Sequence, residues 1–237
     1  ISRDRIGAQK NEAAYANYAY RLRMNEEGSS RLTFGLGIGV LQLGIDGALL
    51  NPNDPEVNQP FDTQRAIVPD ARVGAFFAND KFYAGFSVDN LISQYINIDR
   101  YAYIPQPKPH YYLTGGALVP LATDLMLKPS FLLRDDVGGP SNLDLNAFLI
   151  IAEKFWIGGA YRTGLTLYEK KNLQDDLHQA QSGVAAIQIL PSNNLRLGYS
   201  YDFSLDKVQN YGGGTHEISV SYFFNSKDRR ILSPRFF

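Results

Sequence analysis

The sequence predicts an all-β fold, an antiparallel transmembrane β-barrel of an outer membrane. Segments of about ten residues recur along the chain with apolar and polar residues in alternation, the pattern of barrel strands that have lipid on one side and a wet interior on the other. No apolar run approaches the roughly 18 residues that a membrane-spanning helix needs. Any membrane crossing must therefore use strands.

The alternation is clearest in residues 194–203. Successive side chains of a strand point to opposite faces, so this segment divides into an apolar row and a polar row. The apolar row is Leu195, Leu197, Tyr199, Tyr201 and Phe203. The polar row is Asn194, Arg196, Gly198, Ser200 and Asp202. Residues 142–151, 124–134 and 217–224 repeat the pattern, and we expect each apolar row to face lipid.

Eleven strands are predicted in this chain. They are 12–24, 31–45, 70–79, 81–91, 110–119, 123–134, 142–152, 154–164, 182–190, 194–203 and 214–224. Short turns are expected at 25–30, 79–81, 120–122, 152–154 and 191–193, and long connections at 46–69, 92–109, 135–141, 165–181 and 204–213. Strict alternation of short and long connections is typical of outer-membrane barrels, whose turns are periplasmic and whose loops are extracellular.

If the short turns are periplasmic and the long connections extracellular, the last strand runs inward. The chain then consists of a barrel at 1–224 and a periplasmic C-terminal tail at 225–237. The first predicted strand runs inward, so an odd number of strands is expected before Ile1, giving about 14 strands when the barrel is complete. An export signal is also expected upstream, because the sequence starts without a basic and apolar leader.

Composition narrows the functional classes. The formal net charge is −1, from 23 basic and 24 acidic residues, so nothing favours a nucleic-acid partner. Without cysteine, neither a disulfide framework nor a thiolate metal site is possible. We expect no cofactor, no metal and no catalytic residue. His216 has the same strand parity as Ile218 and Val220, which are expected to face lipid. An outer-membrane lipase could use a histidine at such a position, but no serine stands out as its partner.

Two further motifs have competing interpretations. The run Gly35, Gly37 and Gly39 does not fit a dinucleotide-binding fingerprint, and we expect these glycines to leave room for a neighbouring segment. The carboxylates of 135–136 and 175–176 could bind calcium, but neither pair has calcium-loop spacing. We therefore expect these four carboxylates to be solvated side chains of the loops.

Several stretches together carry a family resemblance. These are 50–55, 69–87 and 233–237, with 17–21 and 128–131 in register. In this order and spacing they resemble the PorP/SprF family of type IX secretion and gliding-motility outer-membrane proteins of Bacteroidota. The resemblance implies a non-enzymatic barrel that assists secretion or holds a secreted adhesin or machinery lipoprotein at the cell surface. It also implies a signal peptide and further N-terminal strands.

Four of the long connections, 46–69, 92–109, 165–181 and 204–213, are the expected partner-binding regions, because they carry Pro, Tyr and Asn with little net charge. The individual residues expected to contact a partner are Asn51, Pro52, Asn53, Asp54, Pro55, Arg235, Phe236 and Phe237. The partner implied by the resemblance is a secreted type IX surface protein or a periplasmic or outer-membrane machinery component, with outer-membrane lipid around the barrel. The terminal aromatic residues could instead belong to a barrel-assembly signal.

A different function remains open at this point. The polar rows mix both charge signs, so they could line a selective pore or form the ion pairs of a filled interior. The alternative is therefore a passive porin or a FadL-like channel for small or hydrophobic solutes. The near balance of charge signs favours a filled interior.

Overall fold

The computed structural model describes residues 1–50, 63–98, 104–170, 181–192, 194–206 and 213–224. Within these ranges the chain forms a single antiparallel sheet of 13 strands. Its other regular elements there are two 3-10 turns, Gly47–Leu49 and Ser93–Tyr95. No helix among the described residues has both the length and the hydropathy needed to cross a membrane.

The strands follow one another along the sheet almost in chain order. They are β1 (Ser2–Ile6), β2 (Gln9–Arg23), β3 (Arg31–Ile45), β4 (Gln64–Ala78), β5 (Phe82–Asp89), β6 (His110–Ala117), β7 (Val119–Ala122), β8 (Leu125–Asp136), β9 (Ser141–Ile151), β10 (Phe155–Leu165), β11 (Gln181–Ile189), β12 (Leu195–Ser204) and β13 (Thr215–Tyr222). The pairing path runs from β1 to β13, and the short β7 pairs only with β8 beside this path. Consecutive antiparallel pairing is the topology of an up-and-down barrel, so the predicted all-β class is confirmed.

All eleven predicted strands are present, and the structure adds two that the sequence did not predict. β1 has the sequence SRDRI, in which every residue is exposed, so no apolar alternation marks it. It pairs with β2 through a tight turn in which Gly7 has φ +57°. β7 lies across the predicted turn 120–122 and pairs with β8 despite Pro120 and a register shift.

The predicted strict alternation of connection lengths is wrong at one place. β8 continues to Asp136 and β9 begins at Ser141, so the connection 137–140 is shorter than the supposedly short turn 24–30 between β2 and β3. The strands extend because Asp135 and Ser141 are held together at this hairpin, as described below. The other long connections, 46–63, 90–109, 166–180 and 205–214, agree with the prediction.

The predicted division of side chains between two faces is confirmed in β8 to β13. Tyr199 lies opposite Ile187 in β11 and Ile218 in β13, and all three are substantially exposed. On the other face Trp156 lies opposite Ile150 and Gln188. This second face therefore carries large apolar side chains among its polar ones, which the alternation alone did not indicate.

The chain separates into two compact units. The first comprises Ile1–Arg21, Thr33–Ala75 and Ser87–Tyr111, and the second comprises Leu22–Leu32, Phe76–Phe86 and Tyr112–Phe237. Each contains buried residues of its own. In the first unit they are centred on Val68, and in the second they include Ile150 and Trp156.

Candidate functional site

The residues predicted to contact a partner lie outside the described residues. This holds for Asn51, Pro52, Asn53, Asp54, Pro55, Arg235, Phe236 and Phe237, and also for the carboxylates of 175–176, which were considered as calcium ligands. Their assignment stays a prediction. The described parts of the long connections nevertheless show how these segments are attached to the sheet.

Asp70 is the main attachment point in the first unit. It lies in β4 and is only 2% exposed. Its carboxylate accepts a hydrogen bond from the Tyr15 hydroxyl at 2.7 Å, and from the backbone N–H groups of Ser93 at 3.2 Å and Ile92 at 3.4 Å. A buried carboxylate needs such donors to offset its lost hydration. These bonds fasten the connection 90–109 to β4.

The same connection is tied internally by side-chain amides. Gln106 Nε2 lies 2.9 to 3.1 Å from the carbonyl oxygens of Ser93, Gln94 and Ile96, to which it donates. Asn90 Nδ2 donates to the Lys108 carbonyl at 3.0 Å. Because these bonds join the start of the connection to its end, the described part of 90–109 is a folded element.

An apolar core lies beneath this connection. Ile98 and Ile104 pack with Ile45, Ala66 and Val68, and all five are less than a tenth exposed. Burying an aliphatic side chain of this size contributes roughly 1.5–3 kcal/mol relative to leaving it in water. Ala66 and Val68 have the same parity in β4 as Asp70, so this face of the strand carries apolar residues where the connection covers it.

The first unit also contains a small cavity of about 310 Å³. Arg72 lies over the Tyr15 ring, with its guanidinium carbon 3.5 Å from the ring centroid. A Cβ atom at Gly37 would come within 2.5 Å of both Arg72 Cγ and Asn17 Oδ1. The prediction that the glycine run leaves room for neighbouring segments is therefore confirmed at Gly37 and at Gly39, but not at Gly35, whose nearest neighbouring atom is 3.9 Å away. Asn17 and Arg72 belong to two of the stretches that carry the family resemblance, and they line this cavity together.

The start of the connection 46–63 is attached in a similar way. Asp46 accepts a 2.6 Å hydrogen bond from Lys10 Nζ, and its backbone N–H donates to the Ala8 carbonyl at 2.9 Å. The Lys10 ammonium holds the pKa of the Asp46 carboxyl below its ordinary value, with a further contribution from the Thr63 hydroxyl. The connection is thus fixed to the turn between β1 and β2.

In the second unit, Lys170 fastens the connection 166–180 to the β8–β9 hairpin. Lys170 Nζ lies 2.7 Å from Asp135 Oδ1 and 2.6 Å from the carbonyl oxygens of Asp136 and Gly139. Ser141 Oγ also donates to the Asp135 carboxylate, and the Tyr168 hydroxyl donates to it at 2.9 Å.

This arrangement corrects the interpretation of the loop carboxylates. Asp135 was expected to be a solvated acid, with calcium binding as the alternative. Its side chain is only 12% exposed, and the Lys170 ammonium occupies the position between oxygens that a metal cation would take. Among the described residues no three His, Cys, Asp or Glu side chains cluster as a metal site would require.

The second face of this unit combines ion pairs with stacked cations. Asp144 accepts from Arg162 Nε at 2.8 Å and from Arg134 at 3.1 Å. Lys128 Nζ lies 5.0 Å from the Trp156 ring centroid, and the Arg196 guanidinium lies 5.7 Å from the same ring. The mixture of charges predicted for this face is present. The sequence left two interpretations of these charges open, the lining of a selective pore and an ion-pair network, and the Asp144 cluster is such a network.

His216 also lies where the sequence placed it, on the exposed row of β13 opposite Tyr201. Its Nδ1 atom is 2.7 Å from the Tyr199 hydroxyl.

Three structural anchors were missed by the sequence analysis, namely Asp70, Lys170 and Trp156. Asp70 is an acid that follows Ala66 and Val68 in the same row of β4, which is a signal of a buried carboxylate with dedicated donors. Trp156 is the single tryptophan of the chain and falls on the row predicted to be polar. Lys170 lies in a predicted loop and has no local pattern that distinguishes it.

A family model described as "Type IX secretion system membrane protein PorP/SprF" matches residues 1–222. The chain therefore belongs to the PorP/SprF family, as the resemblance predicted. It is an outer-membrane protein of a family associated with type IX secretion, which is not an enzyme family. The chain matches none of the curated proteins with which it was compared.

Proposed function

We propose that this PorP/SprF protein assists the secretion or surface anchoring of a partner protein, which binds to its long connections at the outer face of the membrane. The observation that supports this most is the folded state of the described parts of the connection 90–109, which Asp70 and a buried apolar core fix to the sheet. A loop held in one conformation loses less entropy on binding than a free loop does.

The composition of this connection also favours a protein partner. Its 20 residues include three charged ones, Asp99, Arg100 and Lys108, so its net charge is only +1. Tyr95 is 79% exposed, and Ile92 beside it is also exposed. Tyrosine on a rigid support is a common centre of binding energy in protein interfaces. An ion-selective vestibule would instead need charged rings.

The proposal includes the residues named from the sequence. Asn51, Pro52, Asn53, Asp54 and Pro55 would extend the binding surface at the outer face. Residues 1–224 would form the barrel, and Arg235, Phe236 and Phe237 in the periplasmic tail would contact a machinery component.

The test is purification from the native organism in mild detergent, followed by mass spectrometry, with secretion profiling of a deletion strain. We expect a stoichiometric partner and a secretome that lacks specific proteins. Asp70→Ala should release the connection and abolish co-purification, whereas Asp80→Ala, at an exposed acid in the 79–81 turn, should not. Tyr95→Ala is the second variant, because its side chain is mostly exposed and its loss should not impair folding.

The outcome that would contradict the proposal is a barrel that purifies alone, with an unchanged secretome and rapid solute flux in liposomes. That result would support the passive porin or the FadL-like channel. Equal recovery of the partner with wild type, Asp70→Ala and Tyr95→Ala would instead show that the partner binds elsewhere.

A further inference from the structure

We propose that a cavity in the second unit binds an organic carboxylate whose remaining part is apolar. The cavity has a volume of about 430 Å³ and lies on the face that carries the ion pairs. Its lining includes Lys128, Phe148, Trp156, Arg162, Val184 and Gln188. This volume is within the roughly 300–1,000 Å³ that is usual for small-molecule sites. The proposal is independent of the function proposed above.

The charges of the lining favour an anion. Lys128 is 5% exposed, and its ammonium lies against one side of the Trp156 ring, which Arg196 also approaches. Among the described lining residues the one carboxylate is Asp144, which two arginines already hold. A negatively charged group entering the cavity would therefore meet Lys128 and Arg162 without meeting an uncompensated acid.

Two neutral polar groups of the lining favour a ligand that can form hydrogen bonds. Trp156 and Gln188 are directly opposite each other in β10 and β11. Trp156 is 4% exposed, and neither its Nε1 atom nor Gln188 Oε1 has a hydrogen-bond partner among the described residues. The indole N–H is a donor, and leaving it buried and unpaired is costly, so a ligand with an acceptor oxygen has free energy to gain there. Gln188 Oε1 is an acceptor, so it would pair with a donor on the ligand and not with its carboxylate. A carboxylate oxygen is a suitable acceptor for the indole N–H.

The remaining surface favours an apolar body on the ligand. Phe148, Val184 and Leu132 line the cavity beyond Lys128 and present hydrocarbon to it. Burying an acyl or aromatic group against them would add hydrophobic stabilisation to the charged contact. The carboxylate could be the end of a peptide or a free fatty acid, and both share this chemistry.

The position of Trp156 allows a direct measurement, because it is the only tryptophan of the chain. The purified protein, in nonionic detergent, is titrated with N-acetylphenylalanine and with decanoate while its tryptophan fluorescence is recorded. Each acid has its uncharged amide as a control. We expect a saturable change of the tryptophan fluorescence with at least one acid. Its amide should bind at least tenfold more weakly, since a hydrogen bond to a charged group supplies this much discrimination.

Variants then identify the cation. Lys128→Met should weaken binding of the acid about tenfold or more. Lys154→Met, at an exposed lysine beside the start of β10, should leave binding unchanged. Tighter binding of N-acetylphenylalanine would identify a peptide end as the ligand, and tighter binding of decanoate a fatty acid.

Three results would overturn the proposal. They are no saturable change with either acid at millimolar concentration, equal binding of acid and amide, or equal losses in the Lys128→Met and Lys154→Met variants. The comparison of acid with amide uses the wild-type protein, so it remains decisive even if Lys128→Met does not fold.

Discussion

Replacing Lys170 by Met should release the connection 166–180 from the β8–β9 hairpin. An ammonium group has three N–H donors, and three acceptors lie within 2.7 Å of Lys170 Nζ, namely Asp135 Oδ1 and the carbonyl oxygens of Asp136 and Gly139. Methionine fills similar space but donates no hydrogen bond. The substitution therefore removes one donor from each of these oxygens, and of the three only Asp135 Oδ1 keeps another side-chain donor, the Ser141 hydroxyl.

The free energy of unfolding that Lys170→Met should lose follows from the burial of the two charged side chains. The Lys170 and Asp135 side chains are 7% and 12% exposed, so solvent can compensate little of the loss. Breaking a buried ion pair by removing one partner costs about 3–5 kcal/mol, and we expect the lower end, about 3 kcal/mol, because Ser141 and Tyr168 still donate to Asp135. The exposed pair Arg3–Glu12, with side chains 80% and 43% exposed, provides the contrast. Glu12→Gln should cost about 0.5 kcal/mol or less.

Amide hydrogen exchange in detergent micelles measures this effect locally. The Gly138 and Gly139 N–H groups donate to the Asp136 side chain and carbonyl, at 2.8 and 3.1 Å. A loss of about 3 kcal/mol corresponds to exchange about a hundredfold faster in this hairpin. The double variant Lys170→Met with Asp135→Asn should be less destabilised than the sum of the single variants. Unchanged exchange in Lys170→Met, or a loss no larger than that of Glu12→Gln, would refute the reasoning.

Three further predictions concern the sheet itself. Gly39→Ala should destabilise the barrel by at least about 2 kcal/mol in urea unfolding, because its Cβ would overlap the Ala14 carbonyl oxygen; Gly35→Ala, whose nearest atom is 3.9 Å away, should be nearly neutral. Leu197→Lys should cost about 2–4 kcal/mol if its row faces lipid, whereas Ser200→Lys, opposite Glu217 on the other face, should cost much less, and equal costs would contradict the assignment. Glu153→Gly should stabilise the protein by about 1 kcal/mol, because Glu153 has φ +58°, a backbone conformation that glycine adopts without strain. The turn that contains it is closed by the 3.0 Å bond from Lys154 N–H to the Ile151 carbonyl. A loss of stability in Glu153→Gly, or an equal gain from Lys154→Gly, would contradict this.

The strands could be predicted because burial on one face imposes a period of two on the sequence. β3 was predicted with its observed bounds, Arg31–Ile45, since it alternates from Leu32 to Val40 and again, on the opposite parity, from Leu41 to Ile45. β4 begins at Gln64, six residues before the predicted start, because Pro69 interrupts the pattern and the apolar partners of Ala66 and Val68 lie in the distant connection 90–109. Local alternation cannot indicate packing that depends on residues so far apart in sequence.

The anchors of the connections were harder to predict for the same reason. Asp70 and Ser93 are 23 positions apart, and Lys170 and Asp135 are 35 apart. Nothing local distinguishes Lys170 from a solvated lysine. The family, in contrast, was recognised from stretches such as 17–21 and 69–87, whose residues Asn17 and Arg72 meet at one cavity.

The odd-numbered row of β3, which runs from Gly37 to Ile45, shows how a sequence can still indicate where a connection covers the sheet. Its glycines, Gly37 and Gly39, lie beneath Arg72 and Tyr15, where large side chains from neighbouring strands need the space. The same row then changes to Leu41, Leu43 and Ile45, which pack with Ile98 and Ile104. A row that faced water along its whole length would have no reason to change from glycine to large aliphatic residues. Such a change, towards the end of a strand that precedes a long connection, therefore indicates that the connection folds back over that face.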